Sequence, residues 1–421
     1  MVGRFPVGML AAMPPTPPPT PVPGEPRIRD RGDACPGALR LHSADDGHLA
    51  RLRLPGGRLT SRQVKTLADA AERLGDGRLS ITSRGNAELR GLADGCGAEL
   101  AALLAEAGLL PSPTHERVRN IVASPASGLD GLGAADVQLW ARELDTHLLS
   151  APWAAALSGR FLFVLDDGRG DVAGLGGDVT LVAVGGGEAE LHVGGRAVRL
   201  AGSDAPAAAL AAAGGFLAAA RRAGTGAWRV GELPQGYEVD LAESGVTAEP
   251  VPAPELPQGP PPSPGVLGPT ALSVLAPLGR LTAARLRALL PAEEVRLTPW
   301  RGVVVAGADP ARLPALEAAG LITRPDSPWA GVTACTGRPG CAKSLADVRA
   351  DAAPDPARQR PGRSGRRVLP VHYSGCERRC GHPHGDWTDV LATAGGDYLV
   401  DGVPTPRTAL PEAVTAARTT R

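Results

Sequence analysis

The chain has 421 residues, and its 44 Lys and Arg balance 44 Asp and Glu, so a formal net charge of zero argues against a nucleic-acid partner or an anionic membrane surface. That length has room for two or three domains with substantial cores. Aromatic residues make up only 3%, and the 55 Gly and 42 Pro reflect a GC-rich coding bias more than a function.

From the N-terminus, Met1 to Met13 is mildly apolar but lacks the apolar core of a leader and runs into a proline-rich stretch, so residues 1–33 read as a disordered tail. No run of about 18 apolar residues follows, which predicts no membrane span and a cytoplasmic address. Gly57-Arg58-Leu59-Thr60 opens a helical pattern carrying Val64, Leu67 and Ala68. A strand and turn follow at Leu79 to Gly85, and then a helix ends in Ala105-Glu106-Ala107-Gly108-Leu109-Leu110. Beyond Arg119-Asn120, the run Arg160 to Leu165 alternates poorly and predicts a buried strand. Residues 249–265 are so rich in proline that they read as an extended, semi-rigid linker.

After the linker the first pattern returns in order. Gly279-Arg280-Leu281-Thr282 precedes Leu286 and Leu289, Val295 to Gly302 gives a strand and turn, and Glu317-Ala318-Ala319-Gly320-Leu321-Ile322 closes a helix. Three ordered coincidences indicate a duplicated α+β unit, with each copy leading into a different second part.

In the second copy that part holds Cys335 and Cys341, spaced C-x5-C, and Cys376 and Cys380, spaced C-x3-C; a proline and arginine loop, 354–367, separates the pairs. Four soft thiolates in two close pairs suit a [4Fe–4S] cluster, which needs one ligand per iron. Structural zinc is the rival, but its four-cysteine sites favour the tighter C-x2–4-C. Cys35 and Cys96 stand alone and read as inert thiols. No G-x-G-x-x-G follows a strand, so no NADH site is expected within the chain.

With these residues in view the chain resembles the nitrite/sulfite reductase superfamily over residues 35 to 400, and within it the precorrin-3B synthase family. The four cysteines match the superfamily's ligand set. Thr82 to Leu92 resembles its tetrapyrrole-facing segment, and Arg119-Asn120 a second anion-contacting pair. The resemblance implies an α+β, pseudo-twofold fold: two ferredoxin-like half-domains at 34–110 and 266–329, an α/β lobe at 111–248, and a cluster-binding lobe at 330–421. It places Arg84, Asn86, Arg90, Arg119, Asn120 and Arg160 at the substrate, where guanidinium forks suit ring carboxylates. Arg51 and Arg53 are further candidates, though solvated faces suit them equally well. Glu88 stands where the family usually has glutamine, and would repel an anionic ring unless protonated or paired with Arg90.

Anion reductases of the superfamily carry a motif resembling Arg-Lys-Phe-Lys, whose aligned segment here is Gly159-Arg160-Phe161-Leu162. Leu162 can neither hold charge nor give a proton, which argues against six-electron anion reduction. The resemblance therefore implies an oxygen-dependent monooxygenase acting on precorrin-3A and O2, with electrons from an external NADH-linked reductase or ferredoxin, and no sirohaem. Family members are also associated with a mononuclear non-haem iron. His372, His382 and His384 are candidate ligands for it, against the plainer reading as surface or hydrogen-bonding residues.

Overall fold

The computed structural model describes residues 33, 35–246, 248–252, 255–353, 368–383 and 385–419. The tail up to residue 32, the loop 354–367 and His384 lie outside the described residues. In chain order the first half forms β1 (His42–Ala44), β2 (Gly47–Leu52), β3 (Arg58–Leu59), α1 (Ser61–Leu74), β4 (Arg78–Ile81), β5 (Ala87–Leu92) and α2 (Gly97–Glu106). A lobe follows with β6 (Ile121–Ala123), α3 (Val137–Ser150), β7 (Phe163–Asp166), β8 (Val179–Val184), β9 (Glu188–Val193), β10 (Arg196–Ala201), α4 (Ala205–Ala223) and β11 (Glu249–Val251). The second half comprises β12 (Gly265–Val266), β13 (Ala271–Leu275), β14 (Arg280–Thr282), α5 (Ala283–Ala288), β15 (Glu294–Leu297), β16 (Gly302–Ala306) and α6 (Leu313–Ala318). The last lobe has β17 (Val332–Ala334), α7 (Val348–Asp351), β18 (Val371–Ser374), β19 (Thr388–Ala392), β20 (Tyr398–Val400), β21 (Val403–Thr405) and α8 (Leu410–Thr419).

Local chemistry starts α1 where the pattern placed it. Thr60 Oγ1 accepts from Gln63 N at 3.2 Å while Gln63 Oε1 accepts from Thr60 N at 2.9 Å, a reciprocal cap. Val64, Leu67, Ala68 and Ala71 then recur at helical spacing on the buried face. Thr282 caps α5 with its side chain, accepting from Arg285 N.

The two Gly-Arg-Leu-Thr segments do more than open helices. Each forms a short strand that crosses into the sheet of the other half, giving the orders β1-β2-β5-β4-β14 and β12-β13-β16-β15-β3. Leu281 pairs with Leu79, and Leu59 with Val295. Gly57 and Gly279 make the crossings possible: both hold positive φ (74° and 71°), and a Cβ on Gly57 would collide with the Leu297 carbonyl. The halves therefore share one core, in which Leu59, Leu67, Leu79 and Leu89 pack with Leu281, Leu286, Val295 and Val305.

The two lobes, expected to differ, share a sheet plan. β6, β7 and β8 run parallel before β9 and β10 return antiparallel, and β17, β18 and β19 run parallel before β20 and β21 return. Helix α4, with the preceding turn, is long and apolar enough over Gly202–Ala223 to cross a membrane, contrary to the expected absence of such a segment. Its Ala208, Ala212 and Phe216 pack in the first lobe's core. The expected linker is also tied down. β11 pairs with β10, and Gly259 N donates to the Gly170 carbonyl at 2.9 Å.

Candidate functional site

The four site cysteines leave the ends of adjacent parallel strands. With Ala334 opposite Tyr373, Cys335 N donates to the Tyr373 carbonyl at 2.9 Å, and Gly375 N donates to Cys335 Sγ at 3.2 Å. The loop bearing Cys341 is pinned by Asp45, which accepts from Ala342 N, and by Arg90 Nη2, which donates to the Gly340 carbonyl at 2.8 Å. Cys376 and Cys380 share a tight turn closed by Arg379 N on the Cys376 carbonyl at 3.1 Å. Burial, followed by the nearby thiols of Cys335, Cys376 and Cys341, pushes the Cys380 thiol up, as expected when four sulfurs gather. Four soft thiolates brought to adjacent strand ends are donors whose chemistry fits an iron–sulfur cluster.

The equivalent strand ends of the first lobe carry no thiol. Ser124 takes the place of Cys335, donating its N–H to the Leu165 carbonyl at 3.0 Å, and Asp166, Asp167 and Asp171 lie at the end of β7 and just beyond it. These carboxylates do lie within 4.8 Å of one another, but their lone pairs are largely taken. Asp166 accepts from the N–H groups of Gly168, Gly170, Val172 and Ala173, and Arg169 forks onto Asp167. Asp171 accepts from Ser124 Oγ at 2.6 Å, and its Oδ2 has no partner. Burial, with Asp166 and Asp167 adding to it, pushes its carboxyl up to about 7.

Of the three candidate histidines, His372 and His382 are among the described residues. His372 is fully buried, with Nδ1 2.9 Å from Thr333 Oγ1. The same hydroxyl donates to the Val371 carbonyl at 3.0 Å. Burial, then Arg301 and His382, lowers its pKa to about 3. Trp387 engages both rings: His382 stacks on it with centroids 5.2 Å apart, and His372 meets it edge-on at 5.8 Å. Among the described residues no histidine belongs to a group of three potential ligands within reach of one ion, and His384 is not described.

The arginines divide into spent and unspent. Arg119 forks both ways onto Asp145 at 2.6 Å, and Arg90 holds Asp46 at 2.8 and 3.0 Å as well as Gly340, so neither is free for a substrate carboxylate, contrary to expectation. Asn86 and Asn120 are likewise structural. Asn86 Oδ1 accepts from Leu54 N, its amide donates to Asn120 Oδ1 at 3.2 Å, and Asn120 donates to the Gly159 carbonyl at 2.6 Å, stitching the first half to the first lobe. Glu88 lies between Arg51 at 2.5 Å and Arg90 at 3.4 Å. Burial alone would raise its carboxyl, but the two guanidiniums hold it below the usual range, so it stays ionised and neutralised.

Arg53 and Arg84 remain. Arg53 is buried with no partner for Nε or Nη1, which replaces the solvated-face reading, and burial followed by the charge of Arg51 pushes it down to about 10. Among the described residues Arg84 reaches only backbone, the carbonyls of Gly159 at 3.4 Å and Arg160 at 3.1 Å, and burial followed by Arg229 pushes it down to about 10. Arg160 is exposed, its guanidinium 5.0 Å from the Trp228 ring centroid. Cys35 lies among these charges, its thiol pushed up by burial and then by Asp33. In the same lobe as Arg160, Leu162 is buried in a small aliphatic cluster with Val122, Val164, Val172 and Leu175, against which Trp300 packs. No spacing rule marks Arg53, and the Trp300-Arg301-Gly302 turn had signalled only a repeat.

The chain has the fold of the nitrite/sulfite reductases. Residues 42–107, β1 through α2, match the nitrite/sulfite reductase ferredoxin-like half domain, and the Mycobacterium tuberculosis NirA protein superposes with a TM-score of 0.69 at 20% identity, covering 87% of this chain and 79% of its own. The chain is 28% identical over 399 residues to a precorrin-3B synthase of Sinorhizobium sp, a match covering 88% of this chain and 83% of that relative. Shorter matches join it to two ferredoxin–nitrite reductases: 39% over 84 residues in Leptolyngbya laminosa and 37% over 105 in Synechococcus elongatus, 20% and 24% of this chain and 16% and 20% of theirs.

Proposed function

We propose that the protein is a precorrin-3B synthase, a cytoplasmic monooxygenase that hydroxylates precorrin-3A at C20 with formation of a γ-lactone. O2 gives one oxygen atom to the product, and the other leaves as water with two electrons and two protons. The observation that carries this reading is the pair of under-partnered arginines, Arg53 and Arg84, in a lobe interface where Leu162 is buried among aliphatic side chains. A small inorganic anion needs charge and proton donors at the position of Leu162, whereas a macrocycle edged with carboxylates needs guanidiniums for its rim. Arg53 and Arg84 would take ring carboxylates, with Arg160 at the open edge. Cys335, Cys341, Cys376 and Cys380 would hold a [4Fe–4S] cluster, which supplies electrons singly. The donor would be a separate reductase or ferredoxin, and similarity to precorrin-3B synthase over most of the chain supports the same assignment.

Equilibrium titration of the anaerobic protein with precorrin-3A tests these arginines. Arg53→Ala and Arg84→Ala should each lose about 1.5–3 kcal/mol, or roughly 10- to 150-fold in affinity, with Arg84→Lys recovering part. Arg119→Ala should lower stability while leaving affinity near that of the parent, because its fork is spent on Asp145. Unchanged affinity in both Arg53→Ala and Arg84→Ala would remove the proposed rim contacts.

A further inference from the structure

Arg301 is the one non-glycine residue of the β15–β16 turn at positive φ, 63°, a conformation that side chains with a Cβ rarely adopt. Its counterpart in the first half is Gly85, at φ 67°: Gly85 N donates to Thr82 O as Arg301 N donates to Thr298 O. The arginine is therefore not needed by the turn, which glycine serves at less cost. Its side chain runs over Gly279 and Gly381, where any Cβ would collide with it, and Nη2 donates to the Gly381 carbonyl at 2.6 Å, one residue past Cys380. Arg301 is half-buried, and its guanidinium pairs with no carboxylate among the described residues. A sheltered cation without a carboxylate partner is costly unless a negative group is to face it.

Resting on the reading that the four cysteines hold a [4Fe–4S] cluster, we propose that Arg301 is a positioning residue for that cluster, holding the Cys376–Gly381 loop through the Gly381 carbonyl and offsetting the cluster's negative charge. Net charge and neighbouring donors are among the terms that set a cluster's reduction potential, and a sheltered cation favours the added electron. Arg301 would thus keep the cluster reducible by its donor. Arg349, whose Nε donates to the Cys335 carbonyl at 3.0 Å, also approaches the ligand loops and is left intact in the test.

The test is a potentiometric titration, followed by the cluster's paramagnetic signal, of the full-length protein and its Arg301→Gln and Arg301→Lys variants. Iron and acid-labile sulfide are measured first on the parent; no cluster there would defeat the reading of the cysteines rather than the role of Arg301. With the cluster present, Arg301→Gln should lower the equilibrium constant for one-electron reduction at least tenfold, about 59 mV, while Arg301→Lys should stay within about threefold. An Arg301→Gln protein with four irons and the parent's potential would overturn the proposal. If the glutamine variant does not retain its irons, Arg301→Lys decides: a potential near the parent's supports the charge role, and a tenfold loss overturns it.

Discussion

Asp171 shows how one side chain can set the pH response of a whole loop. Its folded-state carboxyl is raised to about 7, first by burial and then by Asp166 and Asp167, against the opposing Ser124 hydrogen bond and the charge of Arg169. An unfolded aspartate releases its proton near 3.9. Between those values the folded protein binds more protons than the unfolded one, so stability falls as pH climbs from about 4 to about 7 and stays at the lower level above. The substitution Asp171→Asn would keep an acceptor for Ser124 and remove the titrating charge. Thermal melts of this variant against the parent should therefore show a gap that shifts in favour of the variant between about pH 4.5 and about pH 8. A gap of constant size would mean that Asp171 does not titrate in this window. At this scale sequence reasoning was uneven for a physical reason: Cys335, Cys341, Cys376 and Cys380 announce themselves by spacing, whereas whether an arginine is spent depends on partners far away in the chain. Arg119 meets Asp145 across 26 residues, and Arg90 meets Gly340 across 250.

Among the elements, the exchanged strands β3 and β14 bear the most on stability, because each completes a sheet whose other strands lie on the far side of the 249–265 segment or at its end. Gly57→Ala would place a methyl against the Leu297 carbonyl at a backbone conformation that costs a non-glycine residue about 1–2 kcal/mol before any clash. Its chemical denaturation midpoint should fall well below that of Gly77→Ala, whose Cβ meets nothing within 4 Å at a similar φ of 76°. Equal losses in the two variants would show that the crossing is not tightly packed. The periodicity at Val64, Leu67 and Ala68 made α1 legible, and the poor alternation from Arg160 to Leu165 made β7 legible as a strand buried throughout its length. The exchange itself was not legible. Gly-Arg-Leu-Thr is too short to show a period, and a two- or three-residue strand is defined by its partner rather than by its own sequence.

For the molecule as a whole, duplication explains both the symmetry and its breaking. The halves share one core and the lobes one sheet plan, but only the last lobe carries thiols at its strand ends, while the first buries Leu162 in an aliphatic cluster. The internal repeat revealed the two halves because its motifs sit at the crossings and turns. The kinship of the lobes stayed hidden, since parallel strands buried on both faces keep the same plan with almost any aliphatic sequence. The proposed function joins a cluster held by the last lobe to tetrapyrrole binding by the arginines of the first half. The measurement that bears most directly on this is mass analysis after the cluster-loaded, reduced protein, holding precorrin-3A, is given isotopically labelled O2. The expected product is heavier by one labelled oxygen, and no sulfide or ammonia should form when the same reduced protein is offered sulfite or nitrite. Bound sirohaem with sustained sulfide or ammonia production would contradict the proposed oxidation, as would tight binding of precorrin-3A with no labelled oxygen incorporated.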